Sequence, residues 1–178
     1  MAPKAMTHRP HWLKPSAVVD LRLVELGIRP AFRTETNAPV NDADIGRWAR
    51  RRSLYFCRDA QDFVVFAKTP LLVRYIMTID RSPGDHVARL GHWLGYPACC
   101  IRSARRITES NLDLWSERVA ARRHIGNYAC TKTGGYRAGR AMISHIPCSP
   151  HCRASLVMAT KVSERHRTVS ARPWAARN

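Results

Sequence analysis

The sequence predicts an α+β fold in which a small β-hairpin or sheet packs against several helices, with a helix-rich second half. Residues 54–57 and 63–67 are rich in aromatic and β-branched side chains, and the turn-prone residues 58–62 separate them, as in a β-hairpin. Most of the remaining chain carries apolar residues at the helical period of 3.6. A hairpin followed by helices is typical of the α+β class.

Three elements are predicted before the hairpin. The first helix begins at Ser16, a plausible N-cap residue, and ends at Gly27. A short strand is expected over residues 32–36. A second helix begins at Asn41 or Asp42, and arginines in its last turn suit the negative end of the helix dipole.

Helices are predicted for most of the chain after the hairpin. Residues 71–79 could form a helix or a buried strand, and we expect the helix. Residues 126–139 contain several glycines and are expected to form a loop. Further helices are expected from Ser82–Asp85 to Gly95, from Tyr96-Pro97 through Ile107, within residues 108–123, and from about Ser149 to Glu164.

The length of 178 residues and the hydrophobic fraction of 45% favour one domain with a hydrophobic core. We expect a flexible basic lead over residues 1–14, a single α+β domain over 15–164 and a basic tail over 165–178. No run of about 18 apolar residues occurs, so no membrane span is expected. The N-terminus lacks the apolar region of a secretory signal, which favours a cytosolic protein. In that reducing compartment, paired cysteines bind metals or do redox chemistry more often than they form disulfides.

Positive charge is concentrated in the second half of the chain. The net charge is +17, and residues 101–178 hold 15 basic and 4 acidic side chains, whereas residues 15–96 hold 12 and 9. Such a field attracts polyanions and is expected to lower the pKa of nearby thiols. Most of the excess is arginine, which favours bidentate contact with phosphate or carboxylate.

The adjacent residues Cys99 and Cys100 are predicted to lie in the first turn of a helix. Pro97 suits a first helical position because the N–H that it lacks would be unpaired there. Free N–H groups and the positive end of the helix dipole stabilise a thiolate at that place. Because adjacent helical residues point about 100° apart, one thiol can coordinate or react while the other packs in the core. Three arginines on the same helix add positive charge: Arg102, Arg105 and Arg106.

Cys148 and Cys152 form a second pair at the start of the last predicted helix. Cys152 is expected in the first turn and Cys148 just before the cap, so that both sulfurs can reach one metal ion. His145 and His151 lie close in sequence and could supply nitrogen ligands. A C-x-x-x-C spacing alone is less diagnostic than paired C-x-x-C knuckles, and the Cys-Cys pair strengthens it.

The remaining motifs are better explained by ordinary structural roles than by function. Free cysteine is often a small core residue, and this is the preferred account of Cys57, while Cys130 is expected as an exposed thiol in a loop. The glycines of residues 134–139 lack the preceding strand and the G-K-[ST] ending of a phosphate loop. No G-x-S-x-G or H-E-x-x-H motif occurs, and no paired carboxylates stand out.

The two cysteine segments resemble those of a small family of uncharacterised prokaryotic proteins. Members carry Gly-Tyr-Pro-x-Cys-Cys, here residues 95–100, and Ser-His-x-Pro-Cys-Ser-x-x-Cys, here residues 144–152. The resemblance covers roughly residues 54–162, and the chain departs from the pattern between about 108 and 140. It implies that the two segments belong to one site, and it implies no particular activity.

The leading functional hypothesis is a metal–thiolate site formed by Cys99, Cys100, Cys148 and Cys152, with His145 as an auxiliary ligand or base. Zinc is the first expectation because it suits tetrahedral sulfur sites, and an iron–sulfur cluster is the second. Four thiolates on a divalent ion leave a charge of −2, which arginines would offset. A filled four-sulfur site would be structural, whereas a catalytic one needs an open position.

Two alternatives come from other functional classes. The first is a basic module that binds nucleic acid or another phosphorylated polyanion, with aromatic residues such as Trp115, Tyr128, Tyr136 and Trp174 available for stacking. Its candidate contacts are Arg102, Arg105, Arg106, Arg122 and Arg123. The second is a metal-free thiol enzyme with Cys100 or Cys148 as nucleophile and His145 as base.

Overall fold

A computed structural model describes residues 9–83, 86–107, 109–122 and 136–170 and has the predicted α+β architecture. In chain order its elements are α1 (Ala17–Glu25), β1 (Ala31–Glu35), α2 (Asp42–Arg50), β2 (Tyr55–Arg58), β3 (Phe63–Ala67), α3 (Pro70–Asp80), α4 (Val87–Trp93), α5 (Ala98–Ile107), α6 (Glu109–Ala121) and α7 (Arg153–Ser170). The predictions made for Arg123, Tyr128, Cys130 and Trp174 lie outside the described residues.

The described strands form one antiparallel sheet in the order β1-β3-β2. The predicted hairpin is confirmed, since β2 pairs with β3 in a register that places Cys57 opposite Val65. On its other side β3 pairs with β1, which places Phe32 opposite Phe66. The central strand is apolar along its whole length because helices cover both of its faces, as a strand buried on two sides requires.

One face of the sheet packs an aromatic core against α1 and α2. The ring of Phe66 stacks on Phe32 with centroids 4.9 Å apart and meets Trp48 edge-on at 5.3 Å. Trp12 and Leu13 are buried in the same core, although we expected them within a flexible lead. The flexible lead was predicted from its basic residues and prolines. Trp12 and Leu13 are nevertheless ordered because together they bury a large apolar surface against the sheet.

The opposite face of the sheet is covered by α3 and by the segment that follows α4. The side chains of Val73 and Ile76 pack against Val65, together with Leu94. The helix predicted over residues 71–79 is therefore confirmed, and the Thr69 hydroxyl accepts a hydrogen bond from the Leu72 N–H at its start.

Helix starts were predicted with different success. Asn41 caps α2 through a 2.8 Å bond to the Asp44 N–H, and Ser16 takes the N-cap position of α1 without a side-chain bond. The last helix begins at Arg153 rather than near Ser149, because residues 148–151 form turns around a proline. It continues to Ser170, beyond the predicted end at Glu164.

A buried ion pair connects the first helix to both cysteine segments. Arg29 is 2% exposed, and its guanidinium donates to the Asp20 carboxylate of α1, to the Leu94 carbonyl oxygen and to the Ser144 hydroxyl. It also lies over the ring of Tyr96, 4.3 Å from the centroid. One side chain thus fixes the start of each segment that carries a cysteine pair.

Gly95 allows the turn before the first cysteine pair to pack closely against Arg29 and Pro30. Its φ of +79° lies in the left-handed region, and a Cβ at this position would stand 2.7 Å from Pro30 Cδ. Any larger residue would push the turn before Cys99 away from Arg29. Glycine is therefore required by both the backbone conformation and the packing of the turn.

Among the described residues, the helices are all too short or too polar to traverse a lipid bilayer.

The Asp20–Arg29 pair predicts a large loss of stability for Asp20→Asn. The variant keeps the shape of the side chain but leaves the buried guanidinium without its counter-charge, which costs about 3–5 kcal/mol of unfolding free energy. The matched control is Asp44→Asn, because Asp44 pairs with Arg47 in an exposed i,i+3 contact that contributes little. Urea denaturation of both variants measures the difference, and equal losses would contradict this account.

Candidate metal centre

The first cysteine pair lies at the start of α5, as the proline predicted. The Cys100 N–H donates to the Pro97 carbonyl oxygen over 2.9 Å, which closes the first turn of the helix. Cys100 is buried and Cys99 is half-buried. Both residues therefore lie in the first turn, at the positive end of the helix dipole.

The second pair brackets the turns before α7. Cys152 precedes the helix, and its carbonyl oxygen accepts the Leu156 N–H at 3.1 Å. Its sulfur accepts a hydrogen bond from the backbone N–H of Ser155. A cysteine thus performs the capping role that Ser, Thr, Asp or Asn usually performs, which differs from the first-turn position predicted for it.

The two pairs converge on one point. One sulfur from each of Cys99, Cys100, Cys148 and Cys152 lies within 4.8 Å of the other three. The Cys152 sulfur is 3.7 Å from that of Cys99 and 3.6 Å from that of Cys100, although 53 and 52 residues separate them in sequence. The Cys99 and Cys100 sulfurs are 3.9 Å apart. The four residues could therefore bind one metal ion together.

The thiol of Cys152 differs in protonation state from those of Cys100 and Cys148. Burial by itself would raise the pKa of Cys152, but hydrogen bonds from the Ser155 side chain and backbone, together with those involving Cys100 and Cys148, lower it to about 6. Burial raises the pKa of Cys148 to about 11, and burial also raises the pKa of Cys100. The metal-free group at neutral pH is thus built around a thiolate at Cys152.

This pattern corrects one expectation. The basic second half was expected to lower thiol pKa values throughout the group, yet the pKa values of Cys100 and Cys148 move upward. Burial has the largest effect on the pKa of both thiols. Arg102 lies on α5 with Cys100, but its side chain is exposed to solvent, which screens its charge.

His145 lies behind the cysteines rather than among them. Its ring is buried, and Nε2 is 2.8 Å from the Ser155 hydroxyl oxygen. That oxygen lies 3.2 Å from the Cys152 sulfur and 3.5 Å from the Cys100 sulfur. Burial first, and then the charge of Arg29, lower the pKa of His145 to about 4, so the ring is neutral at physiological pH. Its role as ligand or base stays a prediction, since its contact with the thiols runs through Ser155.

Ser155 is the site residue that sequence reasoning missed. It is completely buried and lies three residues after Cys152, which places both on one side of the first turn of α7. A small polar residue at this spacing after a cysteine was the available signal. The other predicted nitrogen donor, His151, is exposed and does not belong to the group of four.

The remaining predicted positions lie apart from this centre. Cys57 packs at the border of the core on the α3 side of the sheet, in agreement with its predicted structural role. The arginines that were predicted to contact nucleic acid, here called the basic set, are all exposed where the structure describes them: Arg102, Arg105, Arg106 and Arg122. Their exposure is compatible with contact to a polyanion and equally with solvation.

Comparisons of the chain with models of protein families, with curated proteins and with solved structures found no match. The interpretation of the site therefore depends on its own geometry and chemistry.

The position of Ser155 predicts that Ser155→Ala both destabilises the protein and raises the pKa of Cys152. The substitution removes the hydroxyl that contacts Cys152 and leaves the buried His145 Nε2 without a partner, which costs about 1–3 kcal/mol. Denaturant unfolding measures the loss of stability. Ultraviolet absorbance of the thiolate, followed against pH in metal-free protein, measures the pKa.

The matched control is Ser149→Ala, because the Ser149 hydroxyl accepts a hydrogen bond from the exposed His151 N–H and lies nearer the surface than Ser155. A Ser155→Ala variant that retains a thiolate titrating near pH 6 would contradict the role assigned to this hydroxyl.

Proposed function

We propose that the chain binds a single zinc ion through Cys99, Cys100, Cys148 and Cys152, and that the filled site is structural. The observation that carries the proposal is the spacing of the sulfurs. Four sulfurs placed tetrahedrally at about 2.3 Å from one zinc ion lie about 3.8 Å from one another. Three of the sulfur–sulfur separations, 3.6, 3.7 and 3.9 Å, bracket that value.

The same spacing argues against an iron–sulfur cluster. A cluster distributes its cysteine ligands over different iron atoms, which separates their sulfurs more widely than the ligands of a single ion. Two of the close contacts join residues of different pairs, Cys99 with Cys152 and Cys100 with Cys152. Ligands assigned to separate irons would have to move apart before a cluster could form.

The groups around the sulfurs suit a negatively charged tetrathiolate centre. The backbone N–H of Cys148 donates to the Cys100 sulfur, and both the backbone and the hydroxyl of Ser155 donate to Cys152. Such donors stabilise thiolate charge and orient the ligands. The resemblance of residues 95–100 and 144–152 to paired segments in one family supports their use as a single site.

The proposed ion would join the N-terminal ends of α5 and α7. Because its four ligands come from two segments far apart in sequence, metal binding would close a long loop and stabilise the folded chain. His145 would act on the centre through Ser155, by fixing the hydroxyl that contacts Cys152.

Metal content is the direct test. Protein purified without added metal should contain about one zinc per chain and show no visible colour. Cobalt(II) exchanged into the wild-type chain should give the intense absorption of tetrahedral thiolate coordination, which tests the ligand set without a variant. Zinc content should fall well below one per chain in Cys148→Ser and Cys152→Ser. Cys57→Ser, outside the group, should retain it.

Elemental analysis also separates the alternatives. Iron together with inorganic sulfide and a brown colour would replace zinc with a cluster, and iron without sulfide would indicate a single-iron centre. No metal, combined with a strongly salt-dependent affinity for single-stranded DNA or RNA, would favour the polyanion-binding function of the basic set.

Zinc affinity should depend steeply on pH. The raised pKa values of Cys100 and Cys148 mean that both thiols are protonated at neutral pH, and each must release a proton to bind the ion. Release of these two protons alone makes the apparent affinity rise at least about 100-fold per pH unit between roughly pH 7 and 8, where Cys152 is already ionised. Competition with a chromophoric chelator measures the slope, and a tenfold change or less per unit would contradict the proposed ligand set.

A further inference from the structure

A cavity of about 610 Å³ borders the cysteine group on the side of Cys100 and His145. Helices α4, α5 and α6 and residues 143–146 form most of its walls, and side chains such as Leu90, Ile101 and Leu112 line it. The volume lies within the range of small-molecule sites, which are mainly apolar with a few polar groups.

Among the described residues that line the cavity, one buried side-chain nitrogen has no hydrogen-bond partner. In the described part of the chain, four buried side-chain nitrogens lack a hydrogen bond, and of these only His145 Nδ1 belongs to a residue that lines the cavity. The ring is 8% exposed, so water in bulk does not satisfy this nitrogen. The neighbouring Tyr136 hydroxyl, in contrast, donates to the Asp20 carboxylate at 3.3 Å. A buried polar atom without a partner is costly, which makes Nδ1 the natural anchor for a ligand.

The hydrogen bond at His145 Nε2 determines whether Nδ1 acts as a donor or as an acceptor. The Ser155 hydroxyl donates to the Cys152 sulfur, so its oxygen is left to accept the proton of His145 Nε2. In a neutral imidazole with the proton on Nε2, Nδ1 carries a lone pair and accepts hydrogen bonds. The lowered pKa of His145 agrees with the neutral form. The group that complements Nδ1 is therefore an O–H or N–H donor.

The rest of the lining selects against a charged ligand. The charges of Arg33 and Asp80 at the cavity wall are paired with each other through a 2.7 Å bond. Arg105, also at the wall, is exposed to solvent. Transfer of an unpaired charge into the apolar interior would be strongly unfavourable. The aromatic side chains of Tyr96 and Trp115 favour a flat ring system, which they can contact edge-on or in an offset stack.

We propose that this cavity binds an uncharged aromatic small molecule through a ring N–H or O–H group that donates to His145 Nδ1. This inference does not depend on the proposed zinc ion, because the anchor, the apolar walls and the ion pair at the wall are all protein groups. It assigns the buried histidine a function in recognition, with Ser155 as the residue that sets its tautomer.

The test compares two isosteric probes, indole and benzofuran, which differ in a ring N–H against a ring oxygen. Each is titrated by calorimetry into the full-length chain as purified, with the metal content of the same sample measured. Indole should bind at least tenfold more tightly, because benzofuran leaves Nδ1 unpaired. Equal affinities, or the absence of binding by both probes, would overturn the proposal.

Two substitutions on α6 locate the binding. Leu112→Trp fills the lined space and should reduce indole affinity at least tenfold, whereas Leu114→Trp, on the exposed side of the same helix, should leave it unchanged. Labelling histidine with ¹⁵N gives a readout that needs no variant, since indole should shift the Nδ1 resonance of His145 and benzofuran should not. An unchanged resonance in the presence of saturating indole would overturn the assignment of the anchor.

Discussion

The buried guanidinium of Arg29 is the constraint on which the arrangement of this protein depends. A charge enclosed by protein must find its partners within the protein, and here they come from three separate places: Asp20 of α1, Leu94 before the first cysteine pair, and Ser144 before the second. The rigid fork of donors on arginine makes the relative positions of these partners specific. The close turn at Gly95 is a consequence, since only glycine permits the backbone to approach Pro30 and Arg29 so closely.

From that guanidinium, a series of buried and half-buried polar groups leads to the thiols. Tyr96, which lies under Arg29, has its ring 5.8 Å from that of His145, and His145 meets Ser155, whose hydroxyl contacts Cys152. Polar groups in a low-dielectric interior are costly unless each has a partner, so such a series holds its members in one geometry. This network would orient the cysteines as ligands of a bound metal ion. His145 belongs both to the network and to the lining of the proposed ligand cavity.

Local chemistry explains which parts of the fold were predictable. The hairpin over residues 54–67, the Asn41 cap and the helix that follows Pro97 all depend on side chains within a few residues of the backbone they control. The predictions that differed depend on contacts across the chain. Trp12 and Leu13 lie in a segment whose charge favours solvent, and they are buried because the sheet offers an apolar surface. The last helix begins at Arg153 because the turns before it place Cys152 among the four clustered cysteines instead of within a helix.

The sequence by itself predicted which cysteines come together, since two pairs at predicted helix starts, with a resemblance that joined them, named Cys99, Cys100, Cys148 and Cys152. It also determined the fold class, because strand and helix periods are local properties. Only the tertiary structure decided that the sulfurs of Cys99, Cys100 and Cys152 lie 3.6–3.9 Å apart and that Ser155 separates His145 from them. It also decided that burial raises the pKa of Cys100 while hydrogen bonds lower that of Cys152. These distances, burials and hydrogen bonds depend on contacts between segments that are far apart in sequence. They therefore cannot be predicted from the local sequence around each cysteine.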